Sequence, residues 1–131
     1  MRNDYSVRVS DSSKPLSARE KLMYADTTNA TKLDEIVTVE SPVTICPVDY
    51  VVLSVHNEKS ENKDYDVYLL IDAKGDRYIT GSTSFWNSFS DIWDTMTDAK
   101  SDGETEPFEI EIYKKESKNY KGKYFLSCSI V

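Results

Sequence analysis

The apolar positions between Asp66 and Met96 change period along the chain. Val67, Leu69 and Ile71 alternate with Tyr68, Leu70 and Asp72, and a period of two predicts a strand with one buried and one open face. Ala73-Lys74-Gly75-Asp76 predicts a tight turn, with Gly75 able to take positive φ because it has no Cβ to clash. Arg77-Tyr78-Ile79-Thr80 then predicts the returning strand of a hairpin, ended by Gly81 and Ser82. Beyond it, Phe85, Trp86, Phe89, Ile92, Trp93 and Met96 recur at helical spacing. They form one apolar stripe, with Asn87, Ser90, Asp91 and Asp94 facing away, and their spacing assigns Phe85, Trp86 and Trp93 to the core.

The flanking sequence supplies more strands. Residues 1–15 are polar and serine-rich and predict a mobile arm, the alternative being a strand through Tyr5, Val7 and Val9 added to another subunit. The single domain then spans 16–131. Ser17-Ala18-Arg19-Glu20 has the form of a capping box and predicts a short helix through Tyr24, and a second turn holds Leu33, Ile36 and Val37. The β-branched runs Val37–Glu40, Val43–Ile45 and Val48–Val55, interrupted by Pro42 and Pro47, predict a long bent strand or two strands meeting at a break. A polar loop follows over 56–66. After the helix come an acidic linker, Ser101–Pro107, a strand through Phe108, Ile110 and Ile112, a lysine-rich loop, and a strand through Leu126, Cys128 and Ile130. The order β, β, β, α, β, β predicts an all-β to α+β chain built as a five-stranded OB-fold barrel, with its helix between strands three and four and short helices before it. The pattern alone leaves other small α+β barrels open.

With 131 residues the chain has length for one domain with a core. It contains no long apolar run and no signal-peptide core, which predicts a cytosolic protein without a membrane partner. Cys46 and Cys128 match no metal or redox spacing and are expected as buried free thiols. If the first and last strands are neighbours across barrel closure, the two lie close enough to oxidise. The net charge of −7 argues against nucleic acid until its distribution is considered. Asp91–Glu111 holds eight acids and one lysine, whereas Tyr113–Lys123 holds five lysines and one glutamate. A basic loop on an acidic body can grip phosphates while the remainder suppresses indiscriminate binding.

Three segments carry a family resemblance. Tyr68-Leu69-Leu70-Ile71-Asp72-Ala73-Lys74-Gly75-Asp76-Arg77-Tyr78 with the serine-rich helix start, Arg19-Glu20-Lys21-Leu22-Met23-Tyr24 with Leu33-Asp34-Glu35-Ile36, and Tyr120-Lys121-Gly122-Lys123-Tyr124-Phe125-Leu126 together resemble the single-stranded DNA-binding proteins of small tailed phages of Gram-positive bacteria. The resemblance spans roughly residues 17–131. It implies an OB-fold that coats single-stranded DNA during phage replication in the host cytoplasm, meeting phage replication proteins there. The first fifteen residues and the aromatic helix depart from it, so it implies nothing about oligomeric state.

Aromatic side chains stack on any base, and lysines follow phosphates, so the chemistry of such binding is sequence-tolerant. Tyr68 and Tyr78 stand out of phase with the apolar positions of the hairpin and are the leading stacking candidates. Tyr65, Arg77, Tyr113 and Tyr120 extend that surface, and Lys114, Lys115, Lys118, Lys121 and Lys123 are the candidate phosphate contacts. Each has a plainer role: tyrosines pack on strand surfaces, and lysines solvate hairpins and discourage edge pairing. Catalysis finds little support. One histidine, His56, builds neither a triad nor a multi-histidine metal site, and four glycines cannot supply a phosphate loop. No cofactor or metal is expected, since turn aspartates such as Asp72 and Asp76 ordinarily bond their own backbone. The competing function is a protein-interaction module, in which the acidic helix face and linker meet a basic partner.

Overall fold

The computed structural model describes residues 5–59, 61, 63–101 and 107–131, with the side chains of all of these except 98–101. The expected acidic linker lies largely outside the described residues. The elements follow as β1 (Tyr5–Ser12), α1 (Ala18–Ala25), β2 (Thr31–Lys32), α2 (Leu33–Ile36), β3 (Val43–Ile45), β4 (Pro47–Asn57), β5 (Asp64–Asp72), β6 (Arg77–Thr80), α3 (Thr83–Ser101), β7 (Ile110–Glu116) and β8 (Tyr124–Ile130). The chain is therefore a mixed α+β protein rich in strand. Its strands form two sheets, of order β1-β4-β5-β6-β2 and β3-β7-β8.

The break at Pro47 lets one stretch of chain serve both sheets. β3 pairs with β7, Ile45 opposite Ile110, and β4 pairs with β5 over its full length. The bend is pinned by Asp72, a buried carboxylate whose Oδ2 accepts the Cys46 N–H at 3.0 Å and whose Oδ1 accepts the Lys74 N–H at 2.8 Å. Asp72 thus fixes both the bend and the β5–β6 turn, where Gly75 takes φ +89°. Val37–Glu40 is not a strand, despite its β-branched residues. Thr38 and Ser41 exchange backbone hydrogen bonds at 3.2 Å and close a loop there instead.

Two differences from the expected five-stranded barrel matter. First, residues 1–15 are not a mobile arm over Tyr5–Ser12, which pair antiparallel with Val51–Asn57. The alternation of Tyr5, Val7 and Val9 was the signal, and it outweighs the polar composition because Val7 and Val9 pack against Val51, Leu53 and Leu69. Second, the two sheets are not closed into a barrel. The free side of β6 is occupied by β2, Thr31 opposite Tyr78 and Lys32 opposite Ile79. The last strand therefore has no ladder to close upon, and Leu33 and Val37, both fully buried, fill the seam.

Helix α3 supplies most of the main core. Ser82 Oγ accepts the Phe85 N–H at 3.2 Å at the start of the helix. Phe85, Phe89 and Trp93 are buried against Leu33, Leu70, Ile110, Ile112 and Leu126. The opposite face of the large sheet carries a second cluster of Val51, Leu53 and Leu69, covered by Leu16, Tyr24 and Ala30. Tyr24 is delivered by α1, whose capping box forms as the sequence predicts, Ser17 Oγ accepting from Glu20 N and Glu20 Oε1 from Ser17 N. The large sheet is thus buried on both faces, and this decides where its tyrosines sit.

Candidate nucleic-acid interface

β7 and β8 run out of the core as a hairpin. Ile110 and Ile112 are buried opposite Ile130 and Cys128, and the ladder continues through Lys114, Lys115 and Glu116 to a turn beyond the last buried position, Leu126. Gly122 takes φ +81° in that turn, a conformation that L side chains rarely adopt. The turn is tied by Ser117 N–H to Lys123 O at 2.8 Å and Lys123 N–H to Tyr120 O at 3.1 Å. Glu116, the one acid of the Tyr113–Lys123 segment, accepts the Gly122 N–H at 3.2 Å and so serves the turn.

The surface so formed is basic and aromatic. Lys115, Lys118, Lys121 and Lys123 are exposed, and none of them has an ion pair among the described residues. Tyr120 is 65% exposed, Tyr124 49% and Phe125 37%. Phe125 stands directly opposite Lys115, and Tyr124 opposite Glu116, so each aromatic ring shares a face with a charged neighbour. Lys114 behaves differently, being half-buried with its Nζ donating to Asp34 O at 3.2 Å. The Asp34 carboxylate accepts from Thr80 Oγ1 at 3.3 Å, so α2 links the hairpin to β6. Tyr113 is also half-buried, with its hydroxyl 2.9 Å from Ser129 Oγ.

The candidates on the large sheet lie elsewhere. Tyr68 is only 8% exposed and lies flat against Trp86, ring centroids 4.5 Å apart and planes 5° from parallel. Its faces are not available as an open platform, which corrects the reading of the out-of-phase set as exposed. Tyr78 is half-buried against the same cluster, opposite Leu70. Burial raises the hydroxyl pKa of both Tyr68 and Tyr78, with Asp66 adding to the first and Asp76 to the second. Arg77 is held by α1, its guanidinium 5.1 Å from the centre of the Tyr24 ring and its Nη1 donating to Met23 O at 3.4 Å. Tyr65 is half-buried beside Lys32 and Ile79 along a shallow groove. The structure thus gathers Lys115, Lys118, Tyr120, Lys121 and Lys123 into one exposed hairpin. Tyr65, Tyr68, Arg77 and Tyr78 belong to the other sheet.

Two residues of this surface escaped the sequence reading, Tyr124 and Phe125. Phe125 had a signal, since it is out of phase with Leu126, Cys128 and Ile130. Tyr124 is in phase with them and is exposed only because the hairpin outruns the core. His56 is engaged at both ring nitrogens: Nδ1 lies 2.7 Å from Asp64 Oδ1 and Nε2 2.5 Å from Glu58 Oε2. Cys46 and Cys128 are free thiols. Because β7 lies between β3 and β8, they are not cross-strand neighbours, which corrects the expectation that barrel closure would bring them together. No helix among the described residues is long and apolar enough to cross a membrane.

Neither a family model, nor a curated protein, nor a solved structure matches this chain.

Proposed function

We propose that this chain binds single-stranded DNA without catalysis, using the β7–β8 hairpin as its principal contact surface. The observation that carries the reading is the coincidence of Tyr120, Tyr124 and Phe125, all exposed, with four exposed lysines that have no ion pair among the described residues, on one hairpin of an otherwise acidic protein. An exposed aromatic ring stacks on any base, and free ammonium groups replace the counterions of the phosphates, so the pair of features suits a flexible strand. Duplex DNA hides its base faces and offers only the phosphate half of that recognition.

The connectivity supports the same reading. A bent strand shared by two sheets, a hairpin, a helix and a second hairpin follow the order of a partly open OB-fold, here with β2 on the edge where the barrel would close. In that fold the loop between the last two strands is one of the binding loops. The resemblance to phage single-stranded DNA-binding proteins points the same way, and implies a role in phage DNA replication in the host cytoplasm. Fluorescence anisotropy with matched single-stranded and duplex oligonucleotides at several salt concentrations tests the proposal. Preference for the single strand with weak dependence on base sequence is expected. Equal affinity for duplex, or no binding at low salt, would reject it in favour of an interaction module acting through its acidic surface.

A further inference from the structure

We infer that the chain pairs with a second copy of itself through the open edge of β1, in a two-fold antiparallel ribbon centred on Val7. β1 ends the five-stranded sheet: it is hydrogen-bonded to β4 on one side, and among the described residues no strand lies on the other. Such an edge is a template for another strand, which proteins ordinarily blunt with bulges and charges. Here the bulge falls between Val9 and Asp11, at the far end, and Tyr5–Val9 remains regular. Beside that stretch runs a groove whose apolar lining, Val7, Val9, Ala18, Leu22 and Ala25, is flanked by Arg8 and Lys21. α1, which forms its other wall, has no buried residue, and Leu22 is 76% and Tyr5 54% exposed.

Symmetry selects the register. Opposed residues of an antiparallel pair share a face, and a two-fold axis normal to the sheet keeps the faces apart, so the axis must pass midway between the two copies of one residue, setting it opposite itself. Centring on Arg8 sets Arg8 against Arg8, like charges directly opposed. Centring on Val9 carries the ladder into the bulge and sets Val7 against Asp11. Centring on Ser6 sets Tyr5 against Val7 and leaves Arg8 and Val9 with no partner among the described residues. Centring on Val7 sets Val7 against Val7, Tyr5 against Val9 and Ser6 against Arg8. The apolar pairs then share the face of α1 and Leu22, the polar pairs share the opposite, open face, and no like charges stand directly opposite one another. This self-complementarity names a second copy as the occupant; a foreign strand would not require it.

The ribbon is short, so the association is concentration-dependent and not permanent. The lysine hairpin lies on the other sheet and stays open, and the inference does not depend on what the hairpin binds. Sedimentation velocity of the full chain over a concentration series, in reducing buffer, tests it. A monomer–dimer equilibrium is expected, shifted at least ten-fold toward monomer by Leu22→Asp, with an unchanged unfolding midpoint because Leu22 is exposed. Under mild oxidation Val7→Cys should form an intermolecular disulfide that Arg8→Cys and the parent chain do not. A monomer at every concentration overturns the inference. So does a dimer indifferent to Leu22→Asp, or one cross-linked through Arg8→Cys in place of Val7→Cys.

Discussion

A tyrosine can stack on a base only with a free ring face, and by that criterion Tyr124 and Tyr68 have opposite fates. Tyr124→Ala should weaken single-strand binding by about 1–3 kcal/mol and leave the unfolding midpoint near that of the parent. Tyr68→Ala, which removes the ring stacked on Trp86, should instead cost about 3 kcal/mol of stability, measured by urea unfolding, while Tyr68→Phe is tolerated. Cys128 is equally committed to the interior, and burial pushes its thiol pKa up to about 12. Native alkylation followed by mass spectrometry should label half-buried Cys46 and spare Cys128 until the chain is unfolded. His56 is held by a hydrogen bond to Asp64, opposed by its partial burial and aided by Glu58, so its pKa is raised above 6.5. The folded state then binds the extra proton more tightly, and the clamp's contribution to stability is complete below the unfolded value and lost as pH rises through the folded one. His56→Asn should therefore destabilise the protein more at about pH 6 than at about pH 9, as read from unfolding midpoints at the two pH values.

Among the elements, those defined by local pattern were legible in the sequence, and those defined by what covers them were not. The β5–β6 hairpin, the aromatic stripe of α3 and the capping box of α1 each carry their own signal, in alternation, helical spacing and a serine three residues before a glutamate. Pro47 also announced the bend between β3 and β4. The place of Tyr68 was not legible, because alternation tells that two faces differ but not that α1 and α3 cover both of them. The pairing of β1 was obscured by its polar composition, and the occupation of the β6 edge by β2 rests on two residues without a pattern of their own. The lysine hairpin was legible as a charge run, but Tyr124 became visible only once the hairpin was seen to outrun the core. At this scale the lysines act as a set. Replacing Lys118, Lys121 and Lys123 by Gln should flatten the dependence of log affinity on log salt by about 0.7 for each phosphate that is no longer neutralised. Tyr124→Ala should leave that slope unchanged.

Over the whole molecule, a net charge of −7 coexists with a hairpin segment of five lysines and one glutamate. On the proposed reading, the acidic excess of the body disfavours a polyanion there and directs a strand to the hairpin. Tyr50, Tyr68, Trp86, Phe89 and Trp93 form a connected set of ring contacts, which commits this cluster to the fold, and on the proposed reading recognition falls to the hairpin. Photo-crosslinking a halogenated-uracil oligonucleotide to the full chain, followed by peptide mapping, tests this division most directly. Adducts on Tyr120, Tyr124 or Phe125 are predicted, while adducts confined to Tyr65 or Tyr78, or none at saturating oligonucleotide, would contradict it.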